Sequence, residues 1–255
     1  MPKFAANLSM MFNEVPFLDR FQEAADNGFP AVEYLFPYDY AAEAVASHCK
    51  AAKVAQALFN MPPGDWAAGE RGLAALPGRE RDFEASVEEA LEYASVIGSP
   101  LLHMMAGIAP AHDEAAIAAY RRNLEFAAEK AGRMGIVLVI EPINARDMPG
   151  YFLNSFDQAV GLIEDIGAPN LKLQFDIYHR QILHGDVIMA LHKLAPIIAH
   201  IQIASVPMRH EPMTGELDDR RIFAEIDAIG YVGYIGCEYR PAVGTLQSLS
   251  WMKDL

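Results

Sequence analysis

Cysteine is nearly absent from this 255-residue chain. Two thiols, Cys49 and Cys237, cannot make a disulfide framework and fit a reducing compartment, which excludes a small secreted scaffold held by crosslinks. Basic residues are scarce as well: 20 Lys+Arg against 34 Asp+Glu give a formal charge of −14 at pH 7. A surface of that sign repels a phosphate backbone and no basic stripe offsets it, so no nucleic-acid partner is expected. No apolar run approaches the ~18 residues of a membrane helix. The start, Met1-Pro2-Lys3-Phe4-Ala5-Ala6-Asn7, has no apolar segment of signal-peptide length, and a cytoplasmic location without membrane attachment is expected. A glycine-rich phosphate fingerprint after the first strand is also missing, which weakens a dinucleotide-binding fold. What is present, 52% hydrophobic and 21% charged residues, is a globular composition and excludes disorder.

Short apolar runs alternate with stretches of helical period along the whole chain, the pattern of repeated βα units and a parallel sheet. Eight strands are predicted: Phe4 to Ser9, Ala31 to Phe36, Val54 to Asn60, Pro100 to Met105, Val137 to Glu141, Leu171 to Asp176, Ile197 to Ile203 and Tyr234 to Glu238. Amphipathic segments separate them, such as Ile117, Tyr120, Leu124, Ala127 and Ala131 after the fourth. Ser155 and Gln158 read as a capping box, and Gly28, Gly98, Gly135, Gly167 and Gly230 as helix ends. Eight such units without a linker predict one closed (β/α)8 TIM barrel over residues 1–255; an open doubly wound sheet shares the periodicity but not the closure. One connection, about 60–82, is long and rich in Gly and Pro. Following a strand, it belongs to the C-terminal face where active-site loops lie, and Trp66 and Arg71 make it a candidate for substrate contact.

Polar groups end four otherwise apolar strands: Glu141, Asp176, Gln202 and Glu238, on strands five to eight. In a parallel barrel those ends are neighbours around the rim. Pro142 and Pro241, which lack an N–H, help end the pairing there. Three half-buried carboxylates repel one another and lose hydration, a conflict that a divalent cation resolves. Three carboxylates and an amide carbonyl suit a hard ion, Mg²⁺ or Mn²⁺, better than zinc. The alternative is that each acid separately caps a helix or meets a surface arginine. His179, three positions past Asp176, is a candidate to bind a substrate oxygen. His103 and His200 sit on strands, where a histidine is more often a satisfied core residue; His103 is kept among the candidate substrate contacts. Arg209, in the loop after strand seven, offers a planar donor fork for a carboxylate or hydroxyl; a surface ion pair is its ordinary role. Trp251 and Met252 fit either a subunit contact in a homo-oligomer or a helix face packed on the barrel.

The strings Glu141-Pro142-Ile143-Asn144, Asp176-x-x-His179, His200-x-Gln202 and Cys237-Glu238-Tyr239 resemble the xylose-isomerase-like barrel superfamily, and within it the hydroxypyruvate isomerase family. Gly64 to Gly72 in the long loop and Arg209-His210-Glu211-Pro212 extend the resemblance over nearly the whole chain. It implies a divalent metal held by Glu141, Asp176, Gln202 and Glu238, with both glutamates serving as acid and base. The implied reaction is interconversion of hydroxypyruvate and tartronate semialdehyde through an enediolate, the carboxylate being bound by Arg71 or Arg209. A related branch isomerises 2-oxo-tetronates. A neutral-sugar isomerase or 3-epimerase is a further alternative, although the ketose 3-epimerases carry histidine at the position of Gln202. An abasic-site endonuclease and a non-catalytic binding barrel represent other classes.

Overall fold

A computed structural model of the chain describes residues 2–254. Its strands are β1 (Lys3–Asn7), β2 (Ala31–Tyr34), β3 (Ala55–Asn60), β4 (Leu101–His103), β5 (Val137–Ile140), β6 (Leu171–Asp176), β7 (Ile198–Ile203) and β8 (Tyr234–Cys237). They close into a barrel in sequence order, so the open-sheet alternative is excluded. Pairing is parallel, for example Asn7 opposite Glu33 between β1 and β2, and Gln202 opposite Gly236 between β7 and β8. The chain forms two compact units, one carrying β1, β2, β7 and β8, the other carrying β4, β5 and the long connection. In the first, Ala5, Ala31 and Ala57 form a small-residue floor inside the barrel.

Local chemistry explains the element boundaries. The helix Glu80–Ile97 buries Phe83, Val87, Ala90, Leu91 and Ala94, a stripe of helical spacing, and stops at Gly98 with φ 70°. The helix Phe156–Ile166 opens on Ser155, whose hydroxyl accepts the Gln158 N–H, and closes at Gly167 with φ 65°. Two features depart from the predicted pattern. Strand β4 is three residues long, although the Met104 N–H still reaches the Val139 carbonyl at 3.0 Å. The connection after β6 holds two helices, Ile177–Leu183 and Val187–Leu194, rather than one. The first starts without a loop because Asp176 is its cap, accepting the N–H groups of Tyr178 (2.7 Å) and His179 (3.2 Å).

The long connection runs irregularly to the helix that begins at Glu80, and its own hydrogen bonds tie it down: Glu70 N–H to Asp65 O at 2.9 Å, Gly72 N–H to Pro63 O at 2.8 Å, and Ala75 N–H to Ala106 O at 2.7 Å. Gly72, at φ 112°, lies so close to Met105 that a Cβ would stand 2.4 Å from the Met105 carbonyl oxygen. Trp251 is buried against Phe4 and Phe223, with ring centroids 5.0 and 5.9 Å away, which is the barrel-packing role and not a subunit contact.

Candidate active site

In the unit carrying β7 and β8, Glu238 directly follows β8 and is 6% exposed. Arg209 reaches it from the loop after β7, with Nη2 2.6 Å from Glu238 Oε2 and 3.6 Å from Asp176 Oδ2. Its guanidinium also lies 4.9 Å from the centre of the Tyr178 ring. Arg209 itself sits at φ 57°, held by its N–H to Ser205 O at 2.9 Å and by the Arg240 N–H to its carbonyl at 2.8 Å. Burial pushes the Glu238 carboxyl up to about 8; Arg209 opposes this, and the negative charges of Asp176 and Glu33 add to it.

In the unit carrying β4 and β5, Glu141 follows β5 and is buried, with His103 Nε2 3.7 Å from its Oε2. On the long loop the Arg71 guanidinium stacks 3.8 Å from the Trp66 ring centre. It donates to the carbonyls of Trp66 (3.0 Å) and Glu70 (2.7 Å), while Trp66 packs on Phe36 at 5.2 Å. Trp66 and Arg71 thus form one cation–aromatic face, with the arginine already oriented by the backbone beneath it.

Glu141, Asp176 and His179 each offer one ligand atom, all within 4.8 Å of one another, and all three residues are buried. Two carboxylate oxygens and an imidazole nitrogen suit a divalent cation, and the two buried negative charges call for one. The expected oxygen-only set thereby gains a nitrogen donor, His179, which the sequence had suggested for substrate. Glu238, expected in the metal set, is met here by Arg209. Gln202 is 1% exposed, and its Nε2 donates to Glu33 Oε1 at 2.8 Å.

Sequence reasoning passed over Glu33. It is fully buried inside the barrel, where Asn7 Nδ2 donates to Oε1 at 2.9 Å and His200 Nε2 lies 2.7 Å from Oε2. His200 therefore has the satisfied-core role expected of it. A single acid between Val32 and Tyr34 looks like ordinary strand alternation, which is why it gave no signal. Arg240 was also missed. It lies two residues past Glu238 and lines a cavity of about 590 Å³ together with Ser9, Asn13, Glu14 and Thr245. Glu14 is engaged there by the Thr245 N–H (2.8 Å), whose hydrogen bond holds its carboxyl below the usual range despite partial burial.

A family model described as xylose isomerase-like TIM barrel matches residues 21–255. The 2-oxo-tetronate isomerase of Cupriavidus necator is 56% identical over 255 residues, covering 99% of this chain and 98% of that protein. The hydroxypyruvate isomerase of Escherichia coli is 44% identical over 254 residues, covering 99% and 98%. A solved structure from Brucella melitensis, described as an AP endonuclease of family 2, superposes with a TM-score of 0.97 at 48% identity, covering 100% and 99%. No helix among the described residues is long and apolar enough to cross a membrane.

Proposed function

Because this chain belongs to the hydroxypyruvate isomerase and 2-oxo-tetronate isomerase family of xylose isomerase-like TIM barrels, and is thus an isomerase, we propose that it interconverts a 2-oxo-tetronate and its 3-oxo isomer. The sequence favoured the three-carbon hydroxypyruvate. Likeness to both branches supports a small hydroxy-oxo acid, and the more similar of the two named relatives acts, by its name, on the four-carbon one. The observation that carries the reading is the buried Glu141, Asp176 and His179 cluster, together with an arginine held against Glu238.

The reaction moves one proton from C3 to C2 and a second from the C3 hydroxyl to the C2 oxygen while the carbonyl moves from C2 to C3, so negative charge develops on two adjacent oxygens in between. Glu141, Asp176 and His179 would hold a divalent ion, with Gln202 and Glu238 the further donors that the family resemblance implies, and the ion would supply Lewis-acid stabilisation of that charge. Glu141 and Glu238 remove and return the proton, exchanging roles with the direction of reaction. His103, 3.7 Å from Glu141, orients that carboxylate. Arg209 fixes the Glu238 carboxylate and brings positive charge to the developing oxyanion. The substrate carboxylate is assigned to Arg240, which is exposed two residues past Glu238 and forms no ion pair among the described residues. Trp66 and Arg71 contribute a substrate-facing wall from the long loop.

The AP endonuclease description of the Brucella protein does not favour a nuclease here. A formal charge of −14 opposes a phosphate backbone. Kinetics with 2-oxo-tetronate, hydroxypyruvate and a neutral ketose side by side test the reading. The highest kcat/KM is expected for the four-carbon acid, and replacing Arg240 by Met should raise its KM about tenfold. Preference for the neutral ketose would overturn the acid assignment, and cleavage of abasic DNA without isomerisation would overturn the class.

A further inference from the structure

Glu33 lies at the centre of a polar network that spans four neighbouring strands. Order around the barrel is β2, β1, β8, β7, with Glu33 in register with Asn7 and Gln202 in register with Gly236. For the acid on β2 to reach β7, its side chain must cross the positions contributed by β1 and β8. At β1 it meets Asn7, which donates to Oε1 at 2.9 Å. At β8 it meets a glycine, where an added Cβ would stand 2.2 and 2.4 Å from the two carboxylate oxygens. Gly236 is outside the left-handed region, so its backbone conformation is open to any residue; space for the acid is what requires glycine there. Beyond the glycine, Glu33 takes the amide N–H of Gln202 at 2.8 Å and faces His200 Nε2 at 2.7 Å. Asn7, Glu33, His200 and Gln202 are all at most 1% exposed, so none of these contacts competes with water.

We propose that Glu33 is a positioning residue for the metal site. By taking the NH2 group of Gln202, it sets which edge of the amide faces the strand ends, and that edge is the neutral carbonyl oxygen. Gly236 is the gap that lets it do so. A primary amide has its donor and acceptor on opposite sides of one carbon, so fixing the donor fixes the acceptor. The same contact suits an amide at 202, since a carboxylate side chain has no N–H to donate to Glu33. Outer partners of this kind orient ligands and set metal affinity. The inference rests on the reading of Gln202 as a ligand.

Mn²⁺ titration of the metal-stripped enzyme, read by the resonance signal of free Mn²⁺, tests this without turnover. Gly236→Ala displaces the acid without touching any partner, and Glu33→Met removes the acceptor while filling its space. Each should weaken Mn²⁺ binding about 10- to 100-fold. In a Gln202→Ala background neither should weaken it further. Should Gly236→Ala fail to fold, Glu33→Met carries the comparison, and the reverse holds equally. If Gln202→Ala weakens Mn²⁺ binding while the Glu33 and Gly236 variants bind as wild type, the inference is overturned and the ligand reading stands. If Gln202→Ala binds Mn²⁺ as tightly as wild type, the ligand reading falls and takes the inference with it. Losses that add fully in the double variants would assign Glu33 a general structural role and also overturn it.

Discussion

Glu238 links the charge of the site to the stability of the whole protein. Burial moves its carboxyl from the ordinary 4.5 to about 8 in the metal-free protein. At about 1.4 kcal/mol per pH unit, that displacement corresponds to about 5 kcal/mol. The sign follows from proton binding. Between about pH 4.5 and pH 8 the folded protein keeps a proton that the unfolded chain has released, so raising the pH favours unfolding. The stability contributed by this group is fully present below about pH 4.5 and is lost as pH rises through about 8. Glu238→Gln has no proton to release, so the comparison isolates the effect. For a chain of this size 1 kcal/mol moves Tm by about 2–4 °C, so wild type should lose about 10–20 °C relative to Glu238→Gln between pH 4.5 and 8. Thermal unfolding in EDTA across that range measures the difference. Excess Mn²⁺ at pH 8 should restore wild type and not the variant, since a bound cation favours the ionised carboxylate. Parallel melting curves in EDTA would refute the reasoning.

Other consequences are simpler. Glu141→Gln should lower kcat by about 10²- to 10⁴-fold with the fold intact by circular dichroism. Arg71→Met, which removes the stack on Trp66 and two bonds to loop carbonyls, should raise KM several-fold while Mn²⁺ affinity is unchanged. Trp251→Ala opens a cavity beside Phe4 and Phe223 and should cost about 3–5 kcal/mol in denaturant unfolding, with activity at 25 °C retained.

The barrel was legible in the chain because its signals are local. Apolar runs, helical stripes and the glycines at 98 and 167 each act within a few residues, and closure follows from repetition. The acids ending β6 and β8 were legible for the same reason: a polar residue after an apolar strand stands out. Partners across the fold were not. Arg209 was read as a substrate clamp, yet its guanidinium meets Glu238, a contact 29 positions away along the chain. His179 joined the carboxylate cluster because Asp176 starts a helix without a loop, and periodicity does not distinguish that start from a turn. Glu33 was invisible because its partners lie up to 169 positions away and its space comes from a glycine that resembles any other. The choice between three- and four-carbon acids was beyond reach, since both substrates ask the same of the acids that do the chemistry.

Proton transfer by two buried glutamates is the centre of this account, and isotope exchange tests it most directly. The Mn²⁺-loaded protein is given 2-oxo-tetronate in D2O and the product is followed by proton NMR. The account predicts isomerised product carrying solvent deuterium at C2, and loss of conversion in both Glu141→Gln and Glu238→Gln. Product whose C2 carries the hydrogen that C3 of the substrate bore, with no solvent deuterium, would contradict return of the proton from a second, solvent-exchanged carboxyl.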